Sequence, residues 1–329
     1  MRKIIIFSEL KDQSTSKVIR WINHLGQDVI RINHDDKELK VQCINEDFIH
    51  VKTFSGNYIL RKHDVVWFRR VASDSVHFLK GSSKSFDSAF KMFDVLEKHK
   101  VHESLISWVT TNCKYIGHPK YTSPNRVYVL LEAQKLGINC PDWIITDNKK
   151  DLLNFIAIHK QVVCKSFTHF YYAKDSESYR ILTNLITLKE LENLPESFNS
   201  ALFLSYIPKK YELRIFSWKN NFFPMAIFSQ QDEKTKIDFR EYNSEKPNRN
   251  IPVKLDKDFL NKLYLLAKQL KVDTGSFDIL VSPEDEYFFL EVNPIGQFGM
   301  VSTPCNYNIE KFIADDLVLI LNEGQGHYI

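Results

Sequence analysis

The sequence has few of the features that mark several common classes of protein. Its five cysteines are widely spaced and form no CxxC pair, so neither a zinc site nor a disulfide framework is expected. Lys and Arg (44) nearly balance Asp and Glu (41), which leaves a formal net charge of +3 and predicts no nucleic-acid partner. No apolar run approaches the length of a membrane span, and the opening MRKIIIFSEL has too short an apolar core for a signal peptide. We therefore expect a cytoplasmic protein without a membrane partner.

Glycine-rich phosphate loops are absent from the start of the chain. Residues 4–7 (IIIF) predict a strand, apolar residues at helical spacing from Val18 to Leu25 predict a helix, and residues 28–32 predict a second strand. This β-α-β order favours a parallel sheet. However, the segment FSELKDQS after the first strand has neither a GxGxxG nor a P-loop pattern, which argues against a Rossmann site or a P-loop kinase.

The chain has enough apolar residues for more than one core. Its 329 residues, 43% of them hydrophobic, fit two or three packed units of mixed α/β (α+β) class. The turn-rich stretch at residues 112–125 predicts a boundary. We expect one domain over residues 1–112, a second over 113–200 and a third over 201–329.

A long helical stretch, with a break in it, is predicted for residues 82–111. Its apolar residues include Phe90 and Phe93 in the first half and Leu105 and Val109 in the second. The simplest interpretation assigns these side chains to the core.

Residues 64–70 (DVVWFRR) predict a strand that ends in two adjacent arginines. Successive strand residues face opposite ways, so only one of Arg69 and Arg70 is expected to point at a given ligand. A charge pair at a sheet edge and a contact with an anion remain equally good interpretations.

Residues 276–281 and 287–292 predict a hairpin, since turn-forming residues lie between two β-rich runs. Alternation predicts that Phe289, Glu291 and Asn293 share one face of the second strand and that Leu290 lies on the other.

Asp278 is expected opposite Glu291 and Asn293 if the turn centres near Glu284. Two carboxylates and an amide oxygen suit Mg²⁺, which takes few protein ligands. The alternative is that these residues are solvated at strand ends, and the apolar neighbours of the hairpin argue against it.

Other candidates lie at strand ends. Lys165 closes the apolar strand VVCK, from which its ammonium group can reach a phosphate. Glu212 and Arg214 share one face of the strand KKYELR, either as an ion pair or as a guanidinium group held toward a phosphate. The segment ALFLSYI, residues 201–207, offers a backbone edge to an adenine ring, and the polar connection at residues 232–253 is long enough to suggest a functional loop.

Together these segments resemble the ATP-grasp superfamily, and more narrowly the graspetide synthetases (microviridin-type and grasp-with-spasm peptide maturases). The resemblance rests on the order of VVCK, ALFLSY, KYELR and FLEVNP, together with VWFRR, TKIDFREY, GSFDI and the tail CNYNIEKFIADDL. It covers nearly the whole chain.

The resemblance implies an ATP-grasp fold with an N-terminal pre-grasp domain, a central lid domain and a C-terminal antiparallel-sheet domain. It further implies that ATP phosphorylates a carboxylate side chain of a precursor peptide, after which a Ser, Thr or Lys side chain closes an ester or amide ring. ATP and two Mg²⁺ ions would then be used, with a precursor peptide bearing leader and core segments as partner. A homodimer is compatible with this family.

Residue roles follow from the same resemblance. Arg214 and Arg240 would hold the γ-phosphate and the acyl phosphate, and Asp278, Glu291 and Asn293 would bind the metal ions. The nucleotide contacts would come from Lys165, Glu212, Leu204, Ser205, Tyr206, Ile207, and one of Lys120 and Arg126.

Two features depart from the family pattern. Arg126 follows Asn125 where many relatives have lysine, so the choice between Arg126 and Lys120 stays open. The predicted lid, FTHFYYAKDSESY, lacks the glycines of many ATP-grasp lids. A ligase that adds amino acids to a small molecule or a protein tail, and a non-catalytic peptide-binding module, are the alternative hypotheses.

Overall fold

A computed structural model describes residues 2–71, 86–167, 171–174, 177–180, 183–232, 235–237, 239 and 245–323 of the chain. The first elements are β1 (Ile4–Ser8), α1 (Gln13–His24), β2 (Val29–Asn33), β3 (Lys40–Ile44), β4 (Phe48–Thr53), β5 (Gly56–Arg61), β6 (Val65–Phe68), α2 (Phe86–Asn112) and β7 (Lys114–Ile116). The middle elements are α3 (Arg126–Lys135), β8 (Trp143–Asn148), α4 (Lys149–His159), β9 (Val162–Lys165), β10 (Tyr171–Lys174), β11 (Glu177–Arg180), β12 (Asn184–Leu185), α5 (Leu188–Asn193) and β13 (Ser197–Ser205). The last elements are β14 (Tyr211–Trp218), β15 (Asn221–Phe228), β16 (Arg249–Pro252), α6 (Lys257–Gln269), β17 (Thr274–Val281), β18 (Tyr287–Asn293), α7 (Gly299–Cys305) and α8 (Ile309–Glu323).

The chain divides into two compact units, each made of separate segments. The first contains Met1–Ser123, Val272–Thr274 and Pro294–Ile329, and the second contains Pro124–Lys271 and Gly275–Asn293. The three domains expected from the sequence, with boundaries after residues 112 and 200, stay a prediction. Within the described ranges, no helix has both the length and the apolar character needed to cross a membrane.

The first unit is built around a parallel sheet with strand order β2-β1-β6-β7. Helix α1 connects β1 to β2, so the predicted β-α-β opening is confirmed. Asp12 is the N-cap of α1, since its carboxylate accepts hydrogen bonds from the backbone amides of Ser14 (3.1 Å) and Thr15 (3.3 Å). The second half of α2 and the antiparallel sheet β3-β4-β5 share a core with this sheet, and α8 packs on α1 and contacts β1 and β6.

Helix α2 differs from its prediction in two ways. It is continuous from Phe86 to Asn112, so the expected break is absent from this part of the chain. Its core residues are Leu105 and Val109, whereas the side chains of Phe90 and Phe93 are 59% and 55% exposed. Assigning these two aromatic residues to the core was therefore wrong.

The second unit contains two larger sheets and the short hairpin β10-β11. One sheet has the order β12-β9-β13-β8 and is antiparallel. It packs on α4 and α5 through the buried residues Leu152, Val162, Leu191 and Phe203. The other sheet has the order β16-β15-β14-β17-β18, and β18 packs against α3.

Candidate active site

A pocket in the second unit gathers most of the residues that the sequence singled out. It lies where the ends of β9, β13 and β14 come near β17 and β18. Apolar side chains such as Val163 and Leu280 form part of its walls. The predicted residues on its walls are Lys165, Leu204, Ser205, Tyr206, Ile207, Glu212, Asp278 and Glu291.

A β-bulge in the hairpin β17-β18 brings Asp278 and Glu291 together. Ile279 pairs with Phe289, but the next pair joins Asp278 to Glu291, so Leu290 is an extra residue in β18. Because directly paired residues of an antiparallel ladder share a face, the two carboxylates lie side by side. The predicted placement of Asp278 opposite Glu291 is confirmed.

The bulge also corrects the predicted faces of β18. Phe289 is 0% exposed and its ring packs against Phe277, whereas Leu290 lines the pocket next to Glu291. The prediction that Phe289 and Glu291 share a face was therefore wrong, since the extra residue changes the alternation between them. Asn293 pairs with Ser276 and is half-buried.

Both carboxylates are paired with cationic side chains. Nη1 of Arg214 lies 2.7 Å from both carboxylate oxygens of Asp278. Oε2 of Glu291 lies 3.0 Å from Nζ of Lys165 and also accepts a hydrogen bond from the guanidinium group of Arg126. Three cations therefore surround two adjacent carboxylates, as a site for a phosphate and its counter-ion requires.

The electrostatics of Asp278 favour a further positive charge. Burial raises the pKa of its carboxyl above the ordinary value, and the neighbouring Glu291 carboxylate adds to the rise, although Arg214 acts in the opposite direction. A divalent cation between the two carboxylates would reduce their repulsion.

The residues present fit Mg²⁺. Asp278, Glu291 and Asn293 supply hard oxygen atoms, and Mg²⁺ is usually bound by one or two protein carboxylates together with substrate phosphates and water. The described part of the chain contains no group of three or more His, Cys, Asp and Glu residues that could form an all-protein metal cage.

Glu212 lies at another wall of the same pocket, held by donors that the sequence analysis did not single out. Its Oε1 accepts hydrogen bonds from Nζ of Lys209 (2.6 Å) and Oγ of Ser229 (2.9 Å). Arg214 is held by the carboxylate of Asp278, a pairing that the sequence analysis did not propose. The spacing of Lys209 and Glu212 in the motif KKYELR was a signal for their pairing.

Residues 204–207 also line the pocket. The amide of Ser205 donates to the carbonyl of Asp142 (2.8 Å), and the amide of Tyr206 donates to that of Gln161 (2.9 Å). These two amides are therefore already hydrogen-bonded within the protein.

The remaining predicted residues have different outcomes. Lys120 is an exposed residue of the first unit, in the short helix Pro119–Tyr121, whereas Arg126 is in the second unit and reaches Glu291. Arg240 lies outside the described residues, as does part of the predicted lid. Phe239, which precedes Arg240, is on the pocket wall.

Arg69 and Arg70 belong to the first unit and bind a residue that the sequence analysis missed. Nε of each arginine lies 3.2 Å from Oδ2 of Asp12, so both reach one carboxylate. The prediction that only one could reach a given ligand was wrong, because β6 ends at Phe68 and strand alternation no longer applies. Burial acts to raise the pKa of Asp12, but the two arginines and hydrogen bonds from Thr15 outweigh it and lower the pKa below its ordinary value. Burial lowers the pKa of Arg69 to about 10.

Solved structures resemble this chain over nearly its whole length. A RiPP-associated ATP-grasp ligase from Chryseobacterium gregarium, solved with ADP and a leader and core peptide, is 26% identical, with a TM-score of 0.78 and coverage of 98% of this chain and 97% of that one. The macrocyclase MdnC from Microcystis aeruginosa MRC, bound with the precursor peptide MdnA, is 22% identical, with a TM-score of 0.76 and coverage of 96% and 99%. The ATP-grasp ligase PsnB, complexed with a precursor variant, Mg and ADP, is 14% identical, with a TM-score of 0.70 and coverage of 97% and 99%.

Comparisons of sequence alone add nothing to this result, since no family model and no curated protein matches the chain. The structural similarity covers both units and confirms the mixed α/β class and the resemblance that the sequence motifs indicated. The chain therefore has the ATP-grasp fold, in the form found in RiPP-associated ATP-grasp ligases.

Proposed function

We propose that this chain is an ATP-dependent ligase that phosphorylates Asp or Glu side chains of a ribosomal precursor peptide and closes ester or amide rings with Ser, Thr or Lys side chains. The observation that carries the proposal is the pairing of Asp278 with Glu291 on the wall of one pocket, where the two carboxylates contact three cationic side chains. The fold supports it, and so do the neighbours solved with precursor peptides and with ADP.

The reaction has two balanced steps. A carboxylate oxygen of the peptide attacks the γ-phosphorus of ATP, the bond to the β-phosphate oxygen breaks, and ADP leaves. The hydroxyl or amine of the same peptide then attacks the acyl carbon, phosphate leaves, and the proton of the nucleophile passes to solvent or a base. One ring therefore consumes one ATP and removes the elements of one water from the peptide.

The residues of the pocket suit the first step, because phosphoryl transfer needs positioning and charge neutralisation more than covalent catalysis. Asp278, Glu291 and Asn293 would hold two Mg²⁺ ions, which when bound supply Lewis acidity and neutralise phosphate charge. Lys165 would contact the ATP phosphates. Arg214, together with Arg240 from the polar connection, would hold the γ-phosphate and then the acyl phosphate.

The nucleoside would occupy the other walls of the pocket. Leu204–Ile207, which line the pocket, would present backbone groups to the base, and Glu212 would present a carboxylate that two donors hold in place. Carboxylates at such positions commonly accept hydrogen bonds from ribose hydroxyl groups. The proposed compartment is the cytoplasm, which supplies ATP.

The direct test is mass spectrometry of a peptide product. The purified chain is incubated with ATP, Mg²⁺ and any small Thr/Glu-rich peptide found to be encoded beside its gene, and we expect the peptide to lose the mass of one water per ring while ADP accumulates. Reactions without ATP, or with AMPPNP in its place, should leave the peptide mass unchanged. Mild hydroxylamine treatment would then open ester rings and leave amide rings closed.

Two other results would replace the proposal. An unchanged peptide mass together with ATP-dependent addition of an amino acid to another acceptor would favour the small-molecule or protein-tail ligase. Tight peptide binding without any ATP turnover would favour a non-catalytic binding module.

A further inference from the structure

Lys209 is a buried ammonium group in the connection between β13 and β14. Its side chain is only 2% exposed. Nζ donates to Oε1 of Glu212 at 2.6 Å and to the backbone carbonyl of Ile237 at 3.0 Å. Burying a charge of this kind is costly unless it is paired and hydrogen-bonded, so both contacts determine where the side chain lies.

The two acceptors belong to different parts of the second unit. Glu212 is in β14 and lines the pocket, whereas Ile237 is in the polar connection that follows β15. Lys209 is thus bonded at once to a pocket carboxylate and to the backbone of a connection that also carries Arg240 three residues later.

The start of the polar connection is attached to the end of β15 as well. Oγ1 of the buried Thr235 donates to the carbonyl of Ser229 at 2.8 Å, and Nε2 of Gln230 donates to the carbonyl of Lys236 at 3.1 Å. Ser229 in turn donates its hydroxyl to Glu212. Residues 235–237 and the Glu212 carboxylate therefore share one hydrogen-bonded network, in which a change at one member affects the others.

We propose that Lys209 is a positioning residue that couples nucleotide binding at Glu212 to the placement of residues 235–237 of the polar connection. The inference rests on the proposed assignment of this pocket to ATP. A nucleotide that hydrogen-bonds to Glu212 fixes the carboxylate, the carboxylate fixes the ammonium group, and the ammonium group retains the carbonyl of Ile237. By linkage, fixing residues 235–237 strengthens nucleotide binding to the same extent.

The experiment combines ADP titration calorimetry with limited trypsin digestion of the full chain. Among the described residues of the connection, trypsin can cleave after Lys236, next to Ile237, and after Arg249. We expect ADP with Mg²⁺ to protect these sites in the wild-type protein. In Lys209→Met the ADP dissociation constant should rise about tenfold, because hydrogen bonds to a charged group are lost, and protection should stay incomplete even when ADP is saturating. When ADP is saturating, every molecule has ADP bound, so incomplete protection then reports a loss of coupling and not a loss of affinity.

Lys210→Ala is the matched control. Lys210 is the adjacent residue, but its side chain is 50% exposed and pairs with Asp285 at the surface. This variant should bind ADP and be protected as the wild-type protein is. A change in Lys210→Ala equal to that in Lys209→Met would overturn the inference. It would show that any substitution just before β14 disturbs ADP binding and protection, whatever contacts the side chain makes.

Ser229→Ala tests the contacts of Glu212 separately from the contact between Lys209 and Ile237. It also provides a second test if Lys209→Met does not fold. It removes one donor to Glu212 and leaves the contact between Lys209 and Ile237 in place. We expect weaker ADP binding but full protection at saturation. Incomplete protection in Ser229→Ala, full protection in Lys209→Met, or no ADP-dependent protection in the wild-type protein would each overturn the coupling. A wild-type protein that binds no ADP would instead refute the proposed function.

Discussion

Each of the two units contains a buried carboxylate that is paired with arginine, and the two differ in how their charge is balanced. In the first unit, Asp12 accepts hydrogen bonds from its own helix N-terminus and is paired with Arg69 and Arg70. In the second unit, Asp278 is paired with Arg214 and has the Glu291 carboxylate beside it.

The pKa shifts of the two carboxyl groups have opposite signs for this reason. Burial acts to raise the pKa in both cases, but at Asp12 two arginines and Thr15 outweigh it, whereas at Asp278 the Glu291 carboxylate adds to it. Asp12 is therefore satisfied by the protein itself, which is typical of a structural charge cluster. Asp278 and Glu291 gain from an added cation, which is typical of a site that binds one.

The largest expected effect is on catalysis, and it concerns the second cluster, which consists of Asp278, Glu291 and Arg214 in the second unit. Glu291→Gln and Asn293→Ala should each lower ADP formation about 10³-fold or more, because the first removes a negative charge and one carboxylate oxygen from the proposed metal site and the second removes an amide oxygen. Part of the loss should be recovered at high Mg²⁺ concentration, while circular dichroism and peptide binding stay close to those of the wild-type protein. A coupled assay for ADP across a Mg²⁺ titration gives the answer.

Glu284→Gln is the control for this experiment. Glu284 is an exposed residue in the turn of the same hairpin, so its replacement should leave turnover unchanged. Turnover at the wild-type rate in Glu291→Gln or in Asn293→Ala would show that the metal assignment is wrong.

The next effect is on stability, and it concerns the first cluster, which consists of Asp12, Arg69 and Arg70 in the first unit. Asp12→Ala should lower the free energy of unfolding by about 3–5 kcal/mol, because it leaves the buried Arg69 without its carboxylate and removes the cap of α1. Urea unfolding followed by near-ultraviolet circular dichroism measures this change. ADP formation per folded molecule should stay at the wild-type value.

Asp47→Ala provides the comparison for Asp12→Ala. Asp47 forms an ion pair with Lys62 at 3.3 Å with its side chain 83% exposed, and such pairs contribute about 1 kcal/mol or less. If Asp12→Ala lost turnover as Glu291→Gln does but kept its stability, the first cluster would be part of the catalytic site.

A smaller effect, on the KM for ATP, decides which of Arg126 and Lys120 contacts the nucleotide. Arg126→Ala should raise the KM for ATP about tenfold, because its guanidinium group contacts Glu291 in the pocket and a charge-assisted bond is lost. Lys120→Ala should change the KM little, since the side chain is exposed and is not among the described residues that line the pocket. Steady-state kinetics in ATP would contradict this assignment if Lys120→Ala had the larger effect.

The sequence predicted the hairpin of the second cluster but not its bulge. Turn residues between two β-rich runs were enough to place Asp278 near Glu291. However, Phe289 and Leu290 are both large and apolar, so a pattern of period two cannot tell which of them faces the core. The extra residue is visible only in the pairing with β17.

Contacts between distant segments explain the other errors. Phe90 and Phe93 have the spacing of a buried helical face, but burial depends on which segments cover that face, and local spacing does not specify this. The contact of Lys209 with Ile237 joins residues far apart in the chain, so only its local partner, Glu212, was within reach of sequence reasoning.

The smallest expected effect is on the pH dependence of the free energy of unfolding, which should have opposite signs for the two clusters. A carboxyl group whose pKa is lowered on folding adds stability that is present above its unfolded value, near 3.8 for Asp12, and that is lost as the pH falls toward the folded value. The advantage of the wild-type protein over Asp12→Asn in urea unfolding should therefore shrink as the pH falls below about 5. For Asp278, whose pKa is raised by burial and by Glu291, the sign reverses, so the wild-type protein should gain relative to Asp278→Asn over the same fall in pH. Slopes of the same sign for the two variants would mean that both carboxylates are balanced by the protein alone, and the distinction between a structural and a cation-binding cluster would be lost.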